Sequence, residues 1–189
     1  ARDTPLFGAE PNAHLRAAFS RPELRPVDAL SLADGDGRNG RWLARRGIAV
    51  TTVDYSTEAN RRARAADAAE GLSVERIDAD ITEWAPQQGR RWGLVALFYL
   101  QGPSSLRMAA LRLAAASVAP GGWLAMEGFA AGGPETLTLG PSAQAARWSA
   151  EEIAAELGGF DIFELLTGRI LLREGPAHDG AAWAVRVLA

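Results

Sequence analysis

The stretch that most restricts this chain runs from Ala29 to Gly40, ALSLADGDGRNG, an apolar run that breaks into a loop of alternating glycine and aspartate. RWLARRG follows with helical spacing, and IAVTTVDYS forms a second apolar run that reaches Asp54. Strand, glycine turn, helix, strand and acid, in that order, are how α/β proteins build a nucleotide pocket. The turn brings backbone close to the ligand, and the acid can accept hydrogen bonds from ribose hydroxyls. Two ligand classes fit the outline, dinucleotides and S-adenosylmethionine.

Length narrows the choice, since 189 residues suffice for one domain with a real core but not for a two-domain dehydrogenase. The longest apolar run, Leu94 to Leu100, is far short of the roughly 20 residues a spanning helix needs. ARDTPLF at the start lacks the apolar region of a signal peptide, so no membrane partner is expected. A net charge of −3 without a basic tract disfavours nucleic acid and favours a small-molecule partner. The chain has no cysteine, which excludes thiolate catalysis and cysteine-rich metal sites and suits a reducing cytoplasm. Every basic residue is arginine, so Schiff-base chemistry and a lysine-containing P-loop are excluded as well. No metal is expected, and oligomeric state is not readable.

Taken in order, residues 1–28 read as a leader: LFGAEPNAHL is a loop running into a short helix that could fold over the pocket mouth, and His14 reads as structural. Residues 29–189 read as one domain. Strands are expected at 29–33, 48–53, 73–77, 94–99 and 123–127, and helices at 38–46, 57–70 and from 104, with Ser104 as a cap. Trp42 and Leu43 should face the sheet, and Arg41 and Arg45 water. In the third long helix, Leu106, Ala110, Leu113 and Ser117 share a face. Residues 128–147 read as a long loop, Ser149 and Glu152 as a capping box, and 160–172 with 181–188 as a terminal hairpin with one strand antiparallel. The fold class is α/β, a doubly wound, mostly parallel sheet.

Gly35, Gly37 and Gly40 satisfy the dinucleotide pattern G-x-G-x-x-G. Asp34 and Asp36, however, stand among them where a pyrophosphate would bring two negative charges, and like charges at 4 Å cost about 4 kcal/mol per pair at intermediate dielectric. A sulfonium ligand with an ammonium group meets no such penalty, and Arg38 is close enough to join backbone N–H groups in holding its single carboxylate. Asp54 can take the ribose hydroxyls, and Asp80, after the third strand, can accept from an adenine amino group.

LSLADGDGRNGRWLARRGIAVTTVDYS, then DADITEW, WGLVALFYLQGP and VAPGGWLAMEGF, together resemble a class I S-adenosylmethionine-dependent methyltransferase. The chain is most similar to the small tellurite-resistance-type branch, in which a GRN triplet follows the glycines. FGAEPN resembles that branch's opening segment and REGPAHDG its closing hairpin, so the likeness covers nearly the whole chain. It implies a Rossmann-like seven-stranded sheet whose last strand enters antiparallel. It also implies that Ala33 to Gly37 lines the methionine moiety of the cofactor, Asp54 the ribose, Tyr55 a face of the adenine and Asp80 with Ile81 its edge, with Phe98 offering a carbonyl. The chain departs from the branch in three places. Ser31 stands where many members carry an acid, Ala33 replaces the first glycine, and FYLQGP lacks the histidine often found there.

Methyl transfer to a small-molecule acceptor is the expected activity. The alternatives are a non-catalytic S-adenosylmethionine-binding module and a nicotinamide-dependent oxidoreductase. No dedicated base is evident. Tyr99 and Gln101 are the candidates to touch the acceptor, with Asn12, Glu127 and Phe129 as further wall candidates.

Overall fold

The computed structural model describes residues 6–189, so the first five residues of the leader, and with them most of ARDTPLF, lie outside the described residues. The elements in chain order are α1 (Ala13–Ala18), β1 (Asp28–Leu32), α2 (Arg38–Ala44), β2 (Ala49–Asp54), α3 (Thr57–Ala69), β3 (Val74–Asp78), β4 (Trp92–Phe98), α4 (Ser104–Ser117), β5 (Val118–Phe129), α5 (Ala150–Glu156), β6 (Glu164–Arg173) and β7 (Asp179–Leu188). They build one seven-stranded sheet in the order β3-β2-β1-β4-β5-β7-β6. The first five strands pair in parallel, and β7 is antiparallel to both its neighbours, as the hairpin reading requires. Among the described residues, no helix is long and apolar enough to cross a membrane.

Hydrophobic burial explains the order. β1 and β4 carry the nearly unbroken apolar runs and occupy the middle of the sheet, where helices cover both faces: Leu30, Val95 and Leu97 belong to one core with α4 and α5, while Ala29, Leu94 and Ala96 belong to a second with α1 and α2. Trp42 and Leu43 of α2 are buried in this second core. β1 and β4 lie side by side although the chain leaves β1 toward β2 on one side and enters β4 from the other. The carboxyl ends of these two strands therefore flank the topological switch point, where open α/β sheets form their ligand crevice.

Several local expectations change. Arg41 does not face water, because it reaches from α2 to Asp67 (3.4 Å) and Glu70 (3.8 Å), with its side chain only 11% exposed. Ser104 is the first helical residue, and Pro103 takes the cap position without a side-chain hydrogen bond. The buried stripe of α4 is Arg107, Ala110, Leu111, Ala114 and Ser117, with Leu106 and Leu113 only half-buried. Arg107 is tolerated there because its Nη1 donates to the carbonyls of Gly102 and Ala145. β5 begins before Pro120-Gly121-Gly122, which the ladder with β4 absorbs as a register shift. His14 is structural, its Nε2 lying 2.9 Å from the Val187 carbonyl oxygen.

Candidate active site

The two residues that leave β1 and β4 at the switch point, Ala33 and Tyr99, both adopt left-handed backbone, with φ of 53° and 55°. Each still extends the ladder, Ala33 N–H donating to the Val53 carbonyl (2.8 Å) and Tyr99 N–H to that of Glu127 (2.7 Å). Non-glycine residues hold such a conformation at a cost of order 1–3 kcal/mol, and they do so where the surroundings over-determine them, commonly at ligand sites. Between and above them lies a cavity of about 680 Å³. Its floor is Ala33, Asp34 and Gly35, its inner end Phe98, Tyr99 and His178, and its roof Leu6, Phe7, Gly8 and Ala9 of the leader. Gly35 has a φ of 56°, and a Cβ there would meet no atom within 4 Å, standing instead in open space. The turn thus offers bare backbone to whatever fills the cavity.

The aspartates of the turn behave differently from the sequence argument. Asp34 turns its carboxylate inward, where it accepts from Ser31 Oγ (2.7 Å), from Gly40 N–H (3.1 Å) and from Arg76 Nη1 (3.0 Å), with both charged side chains fully buried. Burial pushes its carboxyl above the ordinary value, against the pull of Arg76 and these hydrogen bonds. Asp36 pairs with Arg62 at 2.7 Å. Both negative charges are therefore offset, and repulsion of a pyrophosphate no longer separates the two ligand classes.

Arg38 lines the cavity, but three of its hydrogens are already donated, to the carbonyls of Phe7 and Glu10 and to Glu174 Oε2 at 2.7 Å. Its first effect is to fasten the leader to the β6–β7 hairpin. Gly8 and Gly175 touch there backbone to backbone, and Ala177 N–H donates to the Leu6 carbonyl.

Asp54 ties the turn from below, Oδ2 accepting from Gly35 N–H and Oδ1 from Ser56 N–H, both at 2.8 Å. Tyr55 is 81% exposed at the end of β2. Asp80 forms a turn with Thr82, whose N–H and hydroxyl donate to Oδ1 and lower its pKa, and Ile81 is buried in the core. Asp54, Tyr55, Asp80 and Ile81 lie along the carboxyl edge of β2 and β3, outside the cavity lining, and Gly37 stands behind it against Arg76 and Ala63.

On the acceptor side, Tyr99 is the one candidate that lines the cavity. Gln101 is exposed beyond it. Glu127 is fully buried, and Asn12 Nδ2 (2.8 Å), the Tyr99 hydroxyl (2.7 Å) and Arg186 Nε all donate to it. Burial first, then the Glu127 charge, pushes the Tyr99 phenol well above its ordinary pKa, so it serves as a donor. Asn12 also caps α1, accepting from the N–H groups of His14 and Leu15.

Sequence reasoning missed His178, which comes from the hairpin loop and packs against Tyr99 (ring centroids 4.2 Å), Phe7 (4.8 Å) and Phe129 (5.5 Å). Its only sequence signals are its place in REGPAHDG and the scarcity of histidine. Burial, and then the charge of Arg38, hold its pKa down to about 4, so the imidazole is neutral near pH 7. Among the described residues its Nδ1 has no hydrogen-bond partner.

Residues 29–122, about half of the chain, match the model of a methyltransferase domain. A comparison with curated protein sequences returns no match. Among solved structures, TehB from Haemophilus influenzae superposes with a TM-score of 0.75 at 16% identity, over 94% of this chain and 61% of that one, so this chain spans under two thirds of its length. A protein from a study of the conversion of a disulfide bond into a thioacetal group during echinomycin biosynthesis gives a TM-score of 0.72 at 19% identity, covering 98% and 84% of the two chains. Magnesium protoporphyrin IX methyltransferase from Synechocystis, with bound S-adenosylmethionine, gives 0.65 at 18% identity, covering 92% and 75%. With the domain match lying on the glycine turn, the following acid and the central strands, the chain belongs to the class I S-adenosylmethionine-dependent methyltransferases.

Proposed function

We propose that this chain transfers a methyl group from S-adenosylmethionine to a small molecule held at the inner end of the cavity, and that residues 1–28 act as a leader over the site, before a single methyltransferase domain at 29–189. The observation that carries the reading is the cavity itself. It opens at the switch point over bare turn backbone, its volume of about 680 Å³ is within the range of cofactor-sized sites, and the leader and hairpin roof it. A roofed cavity of this size suits a small acceptor, and the net charge of −3 disfavours nucleic acid. The cysteine-free composition suits a reducing compartment such as the cytoplasm.

When bound, the cofactor supplies an activated methyl on a positively charged sulfur. The backbone of Ala33 to Gly35 receives the methionine end, and the two hydrogens Arg38 has left can reach its carboxylate. Asp54 keeps lone pairs on both oxygens for the ribose hydroxyls, Tyr55 offers a ring face to the adenine, Asp80 and Ile81 its edge, and Phe98 a carbonyl. Tyr99, fixed by Glu127, and Phe7 close the inner end against water. Holding the reacting groups in line can supply about 7–11 kcal/mol of barrier reduction. Calorimetry with S-adenosylhomocysteine tests the reading. Micromolar binding is expected, weakened at least ~100-fold by Asp54→Ala, because two hydrogen bonds to a charged group are each worth about 1.5–3 kcal/mol. Absence of binding by the folded protein would refute it.

A further inference from the structure

The acceptor end of the cavity has an unusual balance of groups. Each oxygen base around it is already committed. Glu127 accepts from Asn12, Tyr99 and Arg186, and Glu174 from Arg38, Ala13 N–H (2.8 Å) and Asn12 (3.4 Å). The Tyr99 hydroxyl is spent on Glu127, and Asp34 points away into its pair with Arg76. His178 holds the one uncommitted acceptor nitrogen among the described residues of this group, yet no carboxylate orients it and three rings enclose it. At this end the cavity lining is aromatic, with Phe7, Phe98, Tyr99 and the neutral imidazole, whereas its charged lining, Asp36, Arg41, Glu58, Arg61 and Arg62, comes from the turn, α2 and α3. The phenyl and phenol rings remove no proton, the imidazole is a weak base with its pKa held down to about 4, and the π faces stabilise a cation.

From this geometry we infer the class of acceptor, an inference that rests on the methyl-transfer reading above: the acceptor is an uncharged molecule with a free lone pair and no proton to lose, a thioether or a weakly basic heteroaromatic nitrogen, and the product is an onium cation held among Phe7, Phe98 and Tyr99. In this transfer the acceptor's lone pair forms the new bond to the methyl carbon as the bond from that carbon to the sulfonium sulfur breaks. The sulfur keeps the electron pair as a neutral thioether, and the positive charge passes to the acceptor. No proton moves, so no base is needed, and the chamber holds one positive charge before and after the step. That continuity explains why both buried carboxylates are matched by Arg38 and Arg186 and left out of the chemistry.

The test is binding of a product-like ion that needs no knowledge of the natural acceptor. With the protein saturated by S-adenosylhomocysteine, trimethylsulfonium and the uncharged tert-butyl alcohol, similar in shape, are titrated by NMR. The ion is expected to bind at least tenfold more tightly than the alcohol. Phe7→Leu, at a half-exposed leader position, is expected to cut that preference at least threefold when each protein is saturated with S-adenosylhomocysteine. His178→Phe, which keeps a ring and removes the unpartnered Nδ1, is expected to retain it. Equal binding of the two probes, or an ion preference indifferent to Phe7→Leu, overturns the proposal. Loss of the preference in His178→Phe overturns it too, since the imidazole nitrogen would then carry the recognition. If S-adenosylhomocysteine itself does not bind, the methyltransferase reading fails and this inference falls with it.

Discussion

Arg76→Met should expose how the glycine turn is held. Arg76 lies on β3 with its side chain fully buried, and its guanidinium bridges Asp34 of the turn (3.0 Å) and Asp67 of α3 (2.6 Å). Methionine fills similar space but leaves the Asp34 carboxylate in the interior with only Ser31 and Gly40 as partners, while Asp67 keeps Arg41. Removing one partner of a buried ion pair costs about 3–5 kcal/mol. The deficit should also depend on pH. Without the guanidinium, burial raises the folded-state pKa of Asp34 further above its unfolded value near 4, so the folded chain takes up a proton the unfolded chain lacks. Stability of the variant relative to the parent therefore rises as pH falls. If folded Asp34 is protonated throughout, two pH units recover up to about 2.7 kcal/mol. Urea unfolding followed by tryptophan fluorescence at pH 7 and pH 5 reads both quantities. Adding Asp34→Asn to the variant should return most of the loss at pH 7 and flatten its pH dependence. A deficit under about 1 kcal/mol at pH 7, or one that does not change with pH, would refute the claim that Arg76 is what keeps Asp34 charged in the interior.

Other changes probe the surrounding site. Gly40→Ala places a Cβ 2.7 Å from Asp34 Oδ2 and 2.9 Å from Thr52 Cγ2. Because that carboxylate is anchored, unfolding experiments should show a loss of about 1–3 kcal/mol, typical of overpacking. Glu127→Gln keeps the shape but removes the charge facing Arg186 in a fully buried position, which should cost roughly 3 kcal/mol in stability, whereas Tyr99→Phe, losing one hydrogen bond to that charge, should cost about 1.5–3 kcal/mol. His178 has a folded pKa of about 4 against an ordinary 6.5, so its contribution is intact above pH 6.5 and is lost as pH falls through 4. Parallel urea titrations at pH 7 and pH 4 should find that His178→Phe loses less stability on acidification than the parent.

Much of the architecture is legible in the sequence. The runs at 29–33 and 94–99 read as buried strands and became the central pair, because unbroken apolar sequence is what a parallel strand covered on both faces requires. The closing hairpin and its antiparallel strand were legible from two β-rich runs around REGPAHDG. Element edges were less so: Pro120-Gly121-Gly122 reads as a turn, yet β5 runs through it, because a register shift against β4 takes up the extra length.

The site divides along the same physical line. The sequence by itself determined that a glycine turn would follow β1 at Gly35, that acids would end β2 and follow β3, and that cysteine and lysine chemistry was excluded, since each of these follows from residue identity and local spacing. Only the tertiary structure decided what the charges do. Asp34 looked like a ligand-facing repulsive charge until the sheet brought Arg76, 42 residues away, against it in the interior. Asn12 and Glu127, 115 residues apart, looked like wall candidates and are instead bonded to each other. His178 reaches Tyr99 because the β6–β7 hairpin returns over the end of β4. Periodicity reports whether a residue is buried, but which buried charge meets which partner depends on strand order and crossover, and that pairing fixes what remains free to face the ligand.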